Sequence, residues 1–277
     1  MNAVTRSCLF QSTVVAISLM LFLGCNAKQQ VKIASNPSSL SAINKSKRIS
    51  AGWAPYAPYI SLNTETKKPE GFYVDLVEAM ASEAGWEVNW VETTWGNMIT
   101  DLNTGRFDVM AAPVFRTISR ETEVDFTRSI DFFGLNAVVR KDDDKLITVA
   151  DLDQGGVTVT VTQGEVGQDF AQRHMKNAKV EVHKTGDISL ALVDVIQKRA
   201  DVGICDSWTA KQFVEKHNGN VRLLMENPFA QVGAGWFVRQ GDTDLLQFLN
   251  VAIDWLESSG AVKTYSEKYD LGSFLKE

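Results

Sequence analysis

Arg120 and Asp206 each stand after a short apolar run, one in each half of the chain. Arg120 follows residues 107–111 through Ala112-Pro113-Val114-Phe115-Arg116-Thr117-Ile118-Ser119, and Asp206 closes Ala200-Asp201-Val202-Gly203-Ile204-Cys205. A guanidinium holds a carboxylate through two parallel charge-assisted hydrogen bonds, and a carboxylate accepts from an ammonium. The pair could therefore grip both ends of a small zwitterion. Either residue alone is more often a solvated surface charge. Their matched positions after two strand-like runs favour the sharper reading.

The surrounding pattern supplies elements able to carry them. Residues 48–53 read as a strand leading into the proline-rich loop 54–59. Residues 71–84 read as a helix with Val77, Met80, Ala81 and Ala84 on one face, and Gly85 sits where a left-handed cap belongs. Trp86, Val88 and Trp90 alternate with polar residues as in a half-buried strand; residues 97–103 are a short helix and 107–112 another strand. The second half repeats this grammar: strands at 157–161, 180–183 and 201–205, with helices from Gly164 to His174 and over 188–198. Helices alternating with short apolar strands argue for parallel βαβ units. Asp101, Arg106 and Asp108 recur at the same spacing as Asp194, Arg199 and Asp201, which supports two similarly built lobes. A strand at 235–239 leads to a helix at 244–258, striped by Leu245, Leu249, Ala252, Ile253 and Leu256, and a last helix covers 261–269. These closing helices are expected to return to the first lobe, with a ligand site where strand ends and helix N-termini of both lobes meet.

Composition narrows the class. The apolar run 13–24 is too short to span a membrane, which takes about 20 apolar residues, but suits an export signal. Gly24-Cys25 resembles a bacterial lipobox, which would place a lipid on Cys25; Phe22 departs from the usual leucine, and ordinary cleavage near Ala27 is the alternative. Residues 25–47 are rich in Ser, Asn, Lys and Gln and read as a flexible tether. Without Cys8 and an acylated Cys25, Cys205 has no disulfide partner. The 3 histidines are scattered and no Cys/His cluster has metal-ligand spacing, so structural zinc is not expected. Loss of the leader removes Arg6 and takes the net charge from −6 to −7, unsuited to nucleic acid.

In order along the chain, Gly71-Phe-Tyr-Val-Asp-Leu-Val-Glu-Ala-Met80, residues 95–108, Arg120 to Thr127 with Val124-Asp125-Phe126-Thr127, residues 200–206 and Gly260-Ala-Val-Lys-Thr-Tyr265-Ser-Glu-Lys-Tyr269 resemble the bacterial extracellular solute-binding proteins of family 3, the type II periplasmic binding proteins of amino-acid ABC transporters. The resemblance covers about residues 48–269. It implies an α/β fold of two lobes, 48–131 with 233–277 and 132–232, hinged near 129–134 and 230–235 around a ligand cleft. Arg120 matches the arginine that binds the ligand α-carboxylate and Asp206 the acid that receives its ammonium. Tyr56 and Trp95 match the aromatic pair that sandwiches the side chain, and Trp53 a position lining the same pocket. Thr162, Glu165 and Val166 fall in the loop before a helix whose free N–H groups help hold the carboxylate. The implied protein is a monomer without cofactor, working on the periplasmic side, tethered by the lipid on Cys25, and partnered by an inner-membrane permease.

Three departures bear on the ligand. Pro113 still offers its carbonyl to an ammonium, whereas Phe115 loses a hydroxyl that usually adds a hydrogen bond worth about 0.5–1.5 kcal/mol; Phe115 could equally be core. Glu165 stands where Ser or Thr is common, so it either turns to solvent, stabilised at a helix N-terminus, or faces a ligand carrying extra positive charge. The aromatic set Trp53, Tyr56, Tyr59, Trp95, Phe115 and Trp208 suits a cationic side chain or a bulky apolar one. Alternatives to a transport binding protein are an enzyme resembling cyclohexadienyl dehydratase, with Glu165 or another cleft acid as general acid, and a ligand sensor feeding a receptor.

Overall fold

A computed structural model of the chain describes residues 39–271; the expected leader, Cys25 and the first part of the tether lie outside the described residues. In chain order the elements of the opening half are α1 (Ser39–Ser46), β1 (Arg48–Trp53), β2 (Ser61–Leu62), β3 (Pro69–Glu70), α2 (Phe72–Ala84), β4 (Glu87–Glu92), α3 (Met98–Asn103), β5 (Val109–Phe115), α4 (Ile118–Glu121) and β6 (Val124–Phe126). They continue as β7 (Asp131–Arg140), β8 (Thr158–Thr162), α5 (Val166–His174), β9 (Lys179–His183), α6 (Ser189–Ile196), β10 (Val202–Asp206), α7 (Ser207–Lys216) and β11 (Val221–Leu223). The chain closes with β12 (Ala230–Arg239), α8 (Thr243–Ser258) and α9 (Ala261–Lys268).

The main strands run in the order β4-β1-β5-β12-β7-β10-β8-β9, with β6 added on β12 and β11 on β7. Pairing is parallel at either end, β4 with β1 with β5 and β10 with β8 with β9, as the alternating pattern predicts. The middle is antiparallel. There β12 pairs through Ala230–Ala234 with β7 and from Ala234 onward with β5, while β7 pairs through its second half with β10. These two long strands thus pass from one half of the sheet to the other at residues 131–135 and 230–234, giving the two-lobed α/β architecture. Neither the helix α7 nor the full length of β7 follows from periodicity: residues 132–139 are a nearly continuous apolar run, which a buried strand and a buried helix share.

The first lobe buries Phe72, Tyr73, Phe107, Trp236 and Phe237, with α2 and α8 laid on the sheet and α9 packed against those two helices. The cap at Gly85 is left-handed as expected (φ 67°), its N–H returning to the last turn of α2. The expected tether ends earlier than residue 47. Residues 39–46 form α1 because Ile43 has an apolar face of α8 to bury against and Ser39 Oγ accepts from Arg239 Nη2 at 2.6 Å.

The short sequence repeat is a repeated structural unit. Asp108 Oδ2 accepts from the Ser50 N–H at 2.9 Å, and Asp201 Oδ2 accepts from the Thr158 N–H at 2.9 Å. In each copy the arginine pairs with the aspartate that starts the unit, Arg106 with Asp101 and Arg199 with Asp194. The arginine N–H also donates to that aspartate's carbonyl, at 3.0 Å in the first lobe and 2.9 Å in the second. Each unit thus ties the turn after a helix to the neighbouring parallel strand.

Candidate functional site

Every residue of β5 is buried, and the strand delivers its last residue, Phe115, to the cleft. Thr117 then caps α4 by accepting from the Arg120 N–H at 3.3 Å, folding the chain back so that the Arg120 side chain returns to the strand end. Its guanidinium donates through Nη1 to the Phe115 carbonyl at 2.6 Å and through Nη2 to the Gly164 carbonyl at 2.7 Å. Arg120 is only 7 % exposed, and burial lowers its pKa, opposed by the charges of Asp169 and Glu165. It therefore joins the end of β5 to the loop before α5.

Asp206 ends β10 and caps α7, so it sits where a helix N-terminus favours a carboxylate. Oδ1 accepts from the Thr209 N–H at 2.8 Å and from Tyr56 Oη at 2.6 Å; Oδ2 is buried without a partner among the described residues. Burial raises the Asp206 pKa against the pull of these donors.

Glu165 turns inward, not to solvent: it is 3 % exposed. It is the N-cap of α5, Oε2 accepts from the Gly167 N–H at 2.6 Å, and Oε1 is buried without a partner. Burial first, and then the Asp206 charge, push its pKa up to about 8. Free N–H groups were expected at this helix end; one of them, that of Gly167, is taken by the Glu165 carboxylate as an N-cap.

Tyr56, Trp95, Pro113, Phe115, Arg120 and Glu165 line one small cavity, together with Val114, Gly164 and Ile188. Its volume is about 10 Å³, room for roughly one water. Tyr56 stacks on Tyr59 at 5.2 Å and meets Trp95 edge-on at 6.1 Å; Phe133 packs against Tyr56, Tyr59 and Phe115. Tyr56 and Ile188 also line a larger groove of about 1080 Å³ that includes Trp208.

Four of the expected site residues do not themselves line this cavity: Asp206, whose hydrogen-bond partner Tyr56 does, and Trp53, Val166 and Thr162. Trp53 closes β1 in the core, Val166 is buried in the first turn of α5, and the Thr162 hydroxyl donates to the Ile188 carbonyl at 3.3 Å. Conversely, the Gly164 carbonyl, Ile188 and Phe133 were not legible, since a backbone acceptor and two apolar side chains carry no chemical signature. Asp131 is a further surprise: at the start of β7 it is fully buried, Oδ2 has no partner among the described residues, and burial raises its pKa to about 7.

A two-lobed α/β fold, with Arg120 and Glu165 lining one small cavity, defines the class of small-molecule binding proteins. The chain belongs to the bacterial extracellular solute-binding proteins, family 3, whose family model matches residues 49–273. It is 28% identical over 259 residues to the probable histidine-binding protein of Campylobacter jejuni, covering 93% of this chain and 96% of that protein. Among solved structures, it resembles an ancestral amino acid-binding protein described as a precursor of cyclohexadienyl dehydratase (TM-score 0.73, 28% identity, 84% of this chain and 99% of that one). It also resembles a mutant of ArgBP from T. maritima (TM-score 0.72, 30% identity, 83% of this chain and 98% of that one).

Proposed function

We propose that the protein captures an amino acid or related zwitterion outside the cytoplasm and delivers it, by closure of its lobes about a hinge, to an inner-membrane ABC transporter. The observation that carries this reading is the placement of Arg120 and Asp206. Both are buried, they come from different halves of the sheet, and each already bonds across the cleft, Arg120 to Gly164 and Asp206 to Tyr56. In this reading Arg120 takes the α-carboxylate, Asp206 and the Pro113 carbonyl take the ammonium, and Tyr56 and Trp95 flank the side chain. The lobes are residues 48–131 with 233–277, and 132–232, working as a monomer. Only the closed state satisfies both ends of the ligand, so binding energy drives closure. Relatives named as a probable histidine-binding protein and an L-arginine-binding protein support an amino-acid ligand.

The direct test is native mass spectrometry of freshly purified protein, followed by a thermal-shift panel of amino acids. Saturation at a hundredfold excess over Kd stabilises by about 2.7 kcal/mol. A panel without any shift, and no co-purifying zwitterion, would overturn the reading. Anchoring by a lipid on Cys25 belongs to the same proposal. Cys25→Ala should release the protein from membrane fractions.

One observation favours a second reading, an enzyme resembling cyclohexadienyl dehydratase: Glu165 is a buried acid that stays protonated near neutral pH, as a general acid must. Turnover of a cyclohexadienyl acid that is lost in Glu165→Gln would establish it. Failure of wild-type protein to turn over that substrate removes it.

A further inference from the structure

The charges at the cavity do not balance for a simple zwitterion. Arg120 neutralises one carboxylate and Asp206, bonded to the cavity residue Tyr56, one ammonium, which leaves Glu165 as an additional buried acid lining the cavity itself. Its Oε1 and the Asp206 Oδ2 are both buried without a hydrogen-bond partner among the described residues. A buried acceptor of this kind costs stability until a donor reaches it, and an unpaired buried charge costs far more. Resting on the amino-acid reading above, we propose that Glu165 is a specificity-determining residue. It requires one further positive charge in the closed site, supplied by a cationic ligand side chain or, with a neutral ligand, by a proton on Glu165 itself.

Among the described residues, the groups around Glu165 leave no other source for that charge. Facing Glu165 are Asp206 and Cys205 from β10, Tyr56 from the loop after β1, and Arg120 from α4. Asp206 adds negative charge, while Tyr56 and Cys205 are kept neutral by burial, with the nearby carboxylates acting in the same direction. Arg120 is the one cation in this set, and its two recorded side-chain bonds already go to the carbonyls of Phe115 and Gly164. On α5 itself, Asp169 and Arg173 act on Arg120 with opposite sign. Tyr56 and Trp95 present aromatic surface beside the carboxyl, which favours a cation over an anion there.

The sign of the coupling follows. Near neutral pH the free site holds Glu165 protonated; a cationic side chain favours the ionised form and expels that proton, so affinity rises with pH until Glu165 ionises unaided near pH 8. A neutral ligand keeps the proton, so its affinity is flat below that pH and falls above it.

Isothermal titration calorimetry of the full chain, stripped of ligand, tests this with L-arginine, L-lysine and L-glutamine in two buffers of different ionisation enthalpy. Release of close to one proton per cationic ligand at pH 7 is expected, with affinity rising nearly tenfold from pH 6 to pH 7. Glu165→Gln keeps a capping oxygen, and should lose the proton release and lower cation affinity at pH 8 at least tenfold relative to L-glutamine. The wild-type proton count stands even if that variant folds poorly. Binding of the cationic amino acids without proton release, or an unchanged cation preference in Glu165→Gln, overturns the role of Glu165 and leaves the amino-acid reading intact. Wild-type protein that binds none of the three, nor any other amino acid in the thermal-shift panel, overturns both.

Discussion

Tyr56 Oη donates to Asp206 Oδ1 at 2.6 Å, joining the loop after β1 to the end of β10 across 150 residues of sequence. The bond spans the cleft, so it exists only when the lobes are together. Hydrogen bonds to a charged group contribute about 1.5–3 kcal/mol. Tyr56→Phe should therefore weaken ligand binding by roughly 10- to 150-fold by calorimetry while leaving the melting temperature of the ligand-free protein nearly unchanged. Undiminished affinity would mean that this contact plays no part in closure.

Arg120→Ala should abolish high-affinity binding without unfolding the chain. Truncating one partner of a desolvated charge pair costs about 2–5 kcal/mol, roughly 30- to 5000-fold in affinity. Arg120→Lys should not rescue it, because a single ammonium cannot reproduce the fork that reaches the Phe115 and Gly164 carbonyls together. Binding within a few-fold of wild type in either variant would place Arg120 outside the ligand site.

Gly164 has φ 77°, and a Cβ there would lie 2.3 Å from the Trp95 carbonyl oxygen, in the opposite wall of the cleft. Gly164→Ala should cost about 1 kcal/mol in the left-handed backbone and, separately, prop the lobes apart. The expected signature is at least a tenfold loss of affinity and a larger radius of gyration with ligand present. A variant that closes normally in small-angle scattering would refute the steric argument.

Asp131 sets a pH dependence of stability. Its folded pKa of about 7 lies above the ordinary aspartate value, with burial as the cause and the Phe132 N–H opposing it. The folded state therefore holds a proton that the unfolded chain has already lost, and the contribution of this group to stability declines from about pH 4 to about pH 7. Asp131→Asn should remove that decline and leave the variant more stable at pH 7.5 by about 1–4 kcal/mol, with little difference near pH 4. Denaturant titrations at the two pH values check this; equal stabilities at pH 7.5 would show that folding does not raise the Asp131 pKa.

Much of the fold was legible because it is built from local patterns. The apolar face of α2, the glycine cap after it and the stripe of α8 are fixed by the 3.6-residue period, and the alternation of helix and strand implies parallel units. The Asp101–Arg106–Asp108 spacing announced its own copy at Asp194, and both form the same bonds, since each depends on residues close in sequence and one neighbouring strand. The positions of Arg120, Asp206, Tyr56 and Trp95 were legible for a different reason, their place in motifs resembling a known family.

Tertiary structure alone decided the rest. Which way Glu165 points depends on a helix N-terminus, Asp206 and Arg120 converging from three segments, and no local pattern encodes that. The same holds for the Gly164 carbonyl, which becomes an arginine acceptor only when the lobes meet, and for Asp131, whose carboxyl burial holds protonated up to about pH 7. Side-chain type and period determine what a segment can bury; the cost of burying a charge depends on what the other segments bring to it.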